Sequence, residues 1–224
     1  MTTLYKKSVD CAVCLTTQEI TLVGSTNAFG SMDLDMRPPP MERNTLKYQI
    51  HWCEECGFCG PKLAWYEGLD VGLATGRDYC AVLLDKAYPD LAKMFRAHGF
   101  LSSMAKNHVA AISAYMKAAW VCDDFPLIGE AAIACRKQAL SLLRVLHESR
   151  NTYTSDLVTD QVLKIDLLRR TEQFDAAAEQ ISALSNGELA EVLRQILNFQ
   201  ARLCSSKDIA CYQVSDAMIE IDKK

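Results

Sequence analysis

Residues Gln49–Gly60 read QIHWCEECGFCG, with three cysteines spaced by three. The reading of this stretch decides the fold of the first third of the chain. Cys53/Cys56 and Cys56/Cys59 are both CxxC pairs, and a glycine follows each. A CxxC turn aims two sulfurs at one point, and a second pair is then needed to close a tetrahedron. Cys11-Ala-Val-Cys14 supplies it upstream, across a gap of 38 residues (15–52). That gap exceeds the roughly 15–20 residues usual between such pairs. A long insertion between the knuckles accounts for the excess. The expected ligands are therefore Cys11, Cys14, Cys53 and Cys56, holding one structural Zn2+ per chain.

The surroundings of the pairs agree. Thr45–Trp52 (TLKYQIHW) alternates apolar and polar residues, which predicts a half-buried strand running into the Cys53 knuckle. Glu19–Val23 (EITLV) predicts a second strand. Between them residues 24–43 contain Pro38–Pro40 and two glycines, the composition of a long extended loop. Gly57 suits the positive φ that a CxxC turn requires, whereas the first knuckle has Leu15 in that place. Lys6, Lys7, Lys47 and Lys62 are near enough in sequence to offset the charge of a four-thiolate site. Zinc bound to so small a module is worth on the order of 10–16 kcal/mol.

Beyond residue 65 the composition turns to Ala, Leu and other helix formers. Helices are expected in Gly76–Tyr88, Pro89–Gly99, Leu101–Asp124, Pro126–Arg150, Thr154–Gln173, Phe174–Gly187 and Gly187–Ser206, with a fraying tail at the C-terminus. Short connections imply hairpins. Phe174-x-x-Ala177 resembles the tight turn of tetratricopeptide-type helix pairs, where a small residue lets two helices approach. The fold class expected is α+β, mainly α: a small zinc-ribbon β module at 1–68, then a tetratricopeptide-like array of α-helical hairpins at 69–224.

The whole composition is ordinary for a globular protein, half hydrophobic and 23% charged, with a net charge of −4. It shows no basic footprint for nucleic acid, and residues 1–68 carry net −2. The longest apolar stretch, Val109–Val121, is interrupted by Lys117, so no membrane span is expected. The N-terminus has no apolar targeting segment. Ten cysteines without that segment point to a reducing cytoplasm, with thiols on metal or in the core.

The two cysteine pairs, the GSTNAFGSMDLDMRPPPMER loop, the CEECGFC stretch and the helical second half together resemble a bacterial family of unknown function. That resemblance implies a zinc ribbon followed by tetratricopeptide-like helices, and no reaction. The family's first knuckle commonly reads C-P-x-C-G, against CAVCL here.

Other candidates have plainer readings. Cys59 would pair with Cys56 as a thioredoxin-like redox couple only if its thiol were reactive at a helix N-terminus; otherwise it is a bystander. His51 would have to displace a cysteine to become a ligand. Asp33, Asp35 and Arg37 in the loop form a possible hard-metal or phosphate site, or else cap turns and pair with Arg37 or Arg43. Phe29, Met32, Leu34 and Met36 must be buried or presented. Cys80, Cys122, Cys135, Cys204 and Cys211 read as core thiols, with Cys204/Cys211 the one further pair. His98, His108 and His147 stand singly, and no catalytic constellation appears.

An interaction or adaptor protein that binds another protein or peptide is the first expectation, because helical arrays present concave surfaces. Nucleic-acid binding through the ribbon is the second. A thiol redox protein or enzyme using Cys56/Cys59, or a cleft between loop and helices, is the third.

Overall fold

The computed structural model describes residues 1–65, 68–125 and 129–218. Strand β1 (Thr3–Asp10) pairs antiparallel with β2 (Thr17–Ser25), in a register that sets Lys7 opposite Ile20 and Asp10 opposite Thr17. A second, minimal hairpin pairs β3 (His51–Trp52) with β4 (Cys59–Gly60). Between the hairpins lie α1 (Pro40–Arg43) and a 3-10 turn at Leu46–Tyr48. Helices follow: α2 (Val71–Ala74), α3 (Arg77–Leu84), α4 (Asp90–Met104), α5 (His108–Asp123), α6 (Gly129–Glu148), α7 (Leu157–Arg170), α8 (Phe174–Ser185), α9 (Glu191–Ser205) and α10 (Val214–Met218). The protein is thus α+β, mainly α, with its small sheets ahead of its helices. Among the described residues no helix is long and apolar enough to cross a membrane.

The strand expected at Thr45–Trp52 is reduced to His51–Trp52. Thr45 N–H and Oγ both donate to Glu42 O (2.9 and 2.7 Å), and Tyr48 N–H donates to Thr45 O. Turns started at Pro40 therefore continue through Gln49. Leu46 and Ile50 are the buried apolar residues. Their spacing is four, a helical period, while Trp52 stays exposed.

The chain divides into two compact units that do not coincide with the expected 1–68 and 69–224 segments. The first holds residues 1–29 and 40–142. Here the hairpins share one core with α3 and α4: Cys11, Ile20, Phe58, Leu63, Tyr79 and Leu101 are buried together. Helices α4 and α5 pack closely because Ala92, Ala97, Ala111, Ala114 and Ala118 line them with small side chains. Gly99 is not the expected stop. The α4 helix runs through it, and the missing side chain makes room for α5: a Cβ there would lie 3.1 Å from the Tyr115 ring.

The second unit holds residues 30–39 and 143–218 of the described chain. Helices α7, α8 and α9 pack on one another, and Ala177 of the Phe174 turn is fully buried. Residues 31–34 run antiparallel to 212–215: Leu34 N–H donates to Tyr212 O (2.8 Å) and Val214 N–H to Met32 O (2.9 Å). Arg169 is buried but fully engaged. Its guanidinium donates to Asp166 (2.8 Å), Gln200 (2.7 Å) and the carbonyls of Asp208 and Ala210 (2.7 and 3.0 Å). A buried charge survives only with such pairing.

The helix ends follow one pattern. After α4, α6, α7 and α9, the residues Lys106, Arg150, Glu172 and Lys207 adopt positive φ (55° to 65°). The next N–H in each case reaches back to a carbonyl of the last turn: Asn107 to Ser102, Asn151 to Leu146, Gln173 to Leu168, Asp208 to Leu203. These are Schellman caps without their usual glycine. The expected single helix at Leu101–Asp124 is accordingly two. Lys106 turns the chain, and the Asn107 side chain accepts the Ala110 N–H (3.1 Å) to start α5. Asp156 caps α7 in the same way through Thr159 N–H (2.9 Å). Pro126 and the tail from residue 219 lie outside the described residues.

Candidate metal centre

Each CxxC pair occupies the turn of one hairpin. In the first, Leu15 N–H donates to Cys11 O (2.8 Å) and Cys11 N–H to Thr16 O (2.9 Å). In the second, Gly57 N–H donates to Cys53 O (2.9 Å) and Cys53 N–H to Phe58 O (2.8 Å). The two knuckles are copies of one turn. Leu15 and Gly57, at corresponding places, both take positive φ, 63° and 76°.

The two turns face each other. Cys11 Sγ lies 3.6 Å from Cys56 Sγ, and Cys14 Sγ 3.5 Å from Cys53 Sγ. All four sulfurs fall within 4.8 Å of one another. Zinc–sulfur bonds of about 2.3 Å imply a tetrahedral S–S edge of roughly 3.8 Å, so the donor set fits one such ion. The separations are far too long for disulfides, and all ten cysteines are free. The four expected ligands are thus brought together and can hold a metal ion. Among the described residues they are the one such cluster.

The electrostatics of the four thiols are unequal. Hydrogen bonds from the Thr16 side chain and backbone draw Cys14 down to about 6. Burial pushes Cys11 up, and pushes Cys56 up strongly. A divalent ion must displace these protons to bind. Of the lysines expected to offset the charge, Lys6 is paired with Glu19 and Lys47 lies over the Tyr48 ring.

The sequence did not point to the supports of this centre. Gln18 on β2 ties the hairpins together: its Nε2 donates to Trp52 O (2.8 Å) and its Oε1 accepts Glu54 N–H (3.2 Å). Ala12 N–H donates to Leu63 O (2.8 Å). Tyr79 of α3 grips the second knuckle, its hydroxyl donating to Gly57 O (3.2 Å) and accepting Cys59 N–H (2.7 Å). Gln18 is one polar residue on a strand and Tyr79 one aromatic on a helix. Neither has a motif.

Cys59 is fully buried on β4, and burial pushes its thiol up to about 12. It is not at a helix N-terminus, and its Sγ donates to Gly57 O (3.4 Å). A protonated, enclosed thiol is no nucleophile. His51 is buried, and burial lowers its pKa; it does not join the cluster.

Asp33, Asp35 and Arg37 belong to the second unit and are not members of the four-cysteine cluster. All three are buried. Asp35 pairs with Arg170 of α7 (2.9 Å) and accepts Arg37 N–H (3.3 Å). The Asp33 carboxylate accepts the Cys211 thiol (3.2 Å). Of the loop's apolar residues Leu34 is buried, while Phe29 and Met32 are exposed. Cys80 and Cys211 are exposed rather than core thiols; Cys122, Cys135 and Cys204 are buried. His147 is not solitary: its Nε2 meets the buried carboxylate of Asp160 (2.8 Å).

Comparison with protein-family models, with curated proteins and with solved structures finds no match to this chain.

Proposed function

We propose that the chain is a zinc-binding interaction protein, with one structural Zn2+ on Cys11, Cys14, Cys53 and Cys56. The single observation that carries this reading is the closed shell of four sulfurs on two hairpin turns. Catalytic zinc sites keep a position open for water, whereas four protein thiolates fill the coordination sphere. Free thiols throughout, including exposed Cys80 and Cys211, support a reducing cytoplasm. The likeness to the bacterial ribbon-and-helix family belongs to the same proposal.

A partner protein or peptide is supported by what the chain leaves uncovered. Phe29, Met32 and Trp65 are 62%, 48% and 69% exposed. Aromatic residues and methionine are enriched where proteins meet.

Elemental analysis of the purified chain tests the metal, with about one zinc per chain expected. Iron in its place, or no metal, overturns the assignment. For the partner, affinity capture with the native chain is compared with a Phe29→Ser, Met32→Ser variant of equal thermal stability. A partner lost only with the variant supports the interaction reading. Identical capture by both removes it.

A further inference from the structure

The first unit contains a cavity of about 280 Å3 that the metal centre does not use. It opens among α3, α4, α5 and α6, and Tyr88, Arg96, Phe100, Tyr115, Ala134 and Gln138 line it. Small-molecule sites begin near 300 Å3 and combine apolar walls with a few placed polar groups. This cavity is at the lower limit, the size for a single ring.

Arg96 is its one cationic lining residue, and it is held before any ligand arrives. Its Nη1 donates to Asp85 Oδ2 (3.0 Å), and its guanidinium lies 3.4 Å from the Tyr88 ring centroid. A guanidinium has five N–H donors in a rigid fork. Asp85 takes one, and among the described residues Arg96 has no other hydrogen-bond acceptor. The Nε/Nη2 edge therefore keeps two parallel donors, the geometry that grips a carboxylate in bidentate fashion. Asp85 already offsets the charge of Arg96, so the local sum is near zero. The pair therefore lacks the net positive charge that a dianion such as phosphate needs, and a carboxylate is held by the two directed N–H donors rather than by excess charge. Phe100 and Ala134 add apolar wall, and Tyr115 adds an aromatic face that exists because Gly99 leaves it room.

We propose that this cavity binds a small monocarboxylate bearing one aromatic ring. The carboxylate is taken by Arg96, and the ring packs against Phe100 and the tyrosines. This site is independent of the metal and of the interaction reading.

Titration calorimetry on the full, metal-loaded chain tests it with benzoate and with benzamide, its neutral isostere. Benzoate is expected to bind once per chain with a Kd on the order of 1 mM or tighter. Benzamide is expected to bind at least about tenfold more weakly, because the charge-assisted fork is lost. Arg96→Lys keeps the charge beside Asp85 but removes the fork. It should weaken benzoate about tenfold and leave benzamide unchanged. Ala134→Leu fills the cavity and should abolish binding without unfolding the chain, which keeps the test sharp if Arg96→Lys folds poorly. Absence of saturable benzoate binding overturns the proposal, as does equal affinity for benzoate and benzamide. Undiminished benzoate binding by Ala134→Leu places the ligand elsewhere and overturns it too.

Discussion

Leu15 and Gly57 occupy the same place in two copies of one turn, and both have left-handed backbone, φ 63° and 76°. Only glycine adopts that region without steric cost; an L-residue with a Cβ gives up roughly 1–2 kcal/mol. Leu15 is exposed, so its side chain returns little packing. Leu15→Gly is therefore expected to stabilise the metal-loaded protein by about 0.5–1 kcal/mol, after the extra chain entropy of glycine is subtracted. Gly57→Ala should destabilise it by about 1 kcal/mol or more. Urea midpoints of the two variants check both signs.

The same reasoning covers the glycine-less helix caps. Arg150→Gly and Lys207→Gly relieve left-handed strain at the ends of α6 and α9. Each should add up to about 1 kcal/mol, and as caps of different helices the two gains should sum. Thermal denaturation of the single and double variants measures this; a loss in both singles would contradict the cap assignment.

Metal removal should act through four cysteines and no fifth. Cys11→Ser and Cys53→Ser are expected to lower bound metal well below one per chain and to lower the melting temperature. Cys59→Ser should keep the metal, since its thiol is outside the cluster. Metal titration with a chromophoric chelator reads the difference. Equal metal loss in Cys59→Ser would remove Cys53/Cys56 as the ligating pair.

Asp35 and Arg170 form a buried ion pair between residues 135 positions apart. Removing the carboxylate takes the counter-charge from a buried guanidinium that keeps its bond to Ile209 O, so Asp35→Ala is expected to cost about 3 kcal/mol. The double variant Asp35→Leu, Arg170→Met should recover much of that loss. Chemical denaturation of the set decides it, because a mere loop contact would give Asp35→Ala less than about 1 kcal/mol.

His98 on α4 gives the protein an acid sensitivity of known sign. Burial, with the Lys117 charge added, lowers its imidazole to about 4. Unfolded histidine titrates near 6.5. Between these values the unfolded chain binds the proton and the folded one does not. Stability is thus flat above about pH 6.5 and falls as pH drops towards about 4. At pH 5 the loss from this residue is about 2 kcal/mol. His98→Gln should lack that component; the urea midpoints of both proteins at pH 7 and pH 5 isolate it.

The legible parts of this chain were local ones. A CxxC turn is defined by four residues, so the candidate pairs were legible from spacing; the choice of Cys53/Cys56 over Cys56/Cys59 drew on the strand expected to end at Trp52 and on the family resemblance. Helix interiors were readable from their composition, but their ends were not, since Lys106 does the work normally assigned to glycine. Alternation in Thr45–Trp52 suggested a strand because Leu46 and Ile50 satisfy both a period of two and a period of four. The choice was made by Pro40, which started turns upstream. Nothing near Asp35 named Arg170, and nothing in Tyr79 named the knuckle. These are contacts between distant segments, which a one-dimensional pattern does not encode.

The excursion of residues 30–39 into the second unit also imposes an order of events during synthesis. Asp35 leaves the ribosome 135 residues before Arg170. At about 5–20 residues per second that is a wait on the order of ten seconds. Throughout it, Leu34 and Asp35 lack their partners from the second unit, Tyr212 and Arg170, while the flanking segments at 1–29 and 40–65 already carry all four cysteines of the cluster. Metal capture can precede completion of the helices, and the loop would then remain a tethered, unfilled half-site until α7 emerges to receive it.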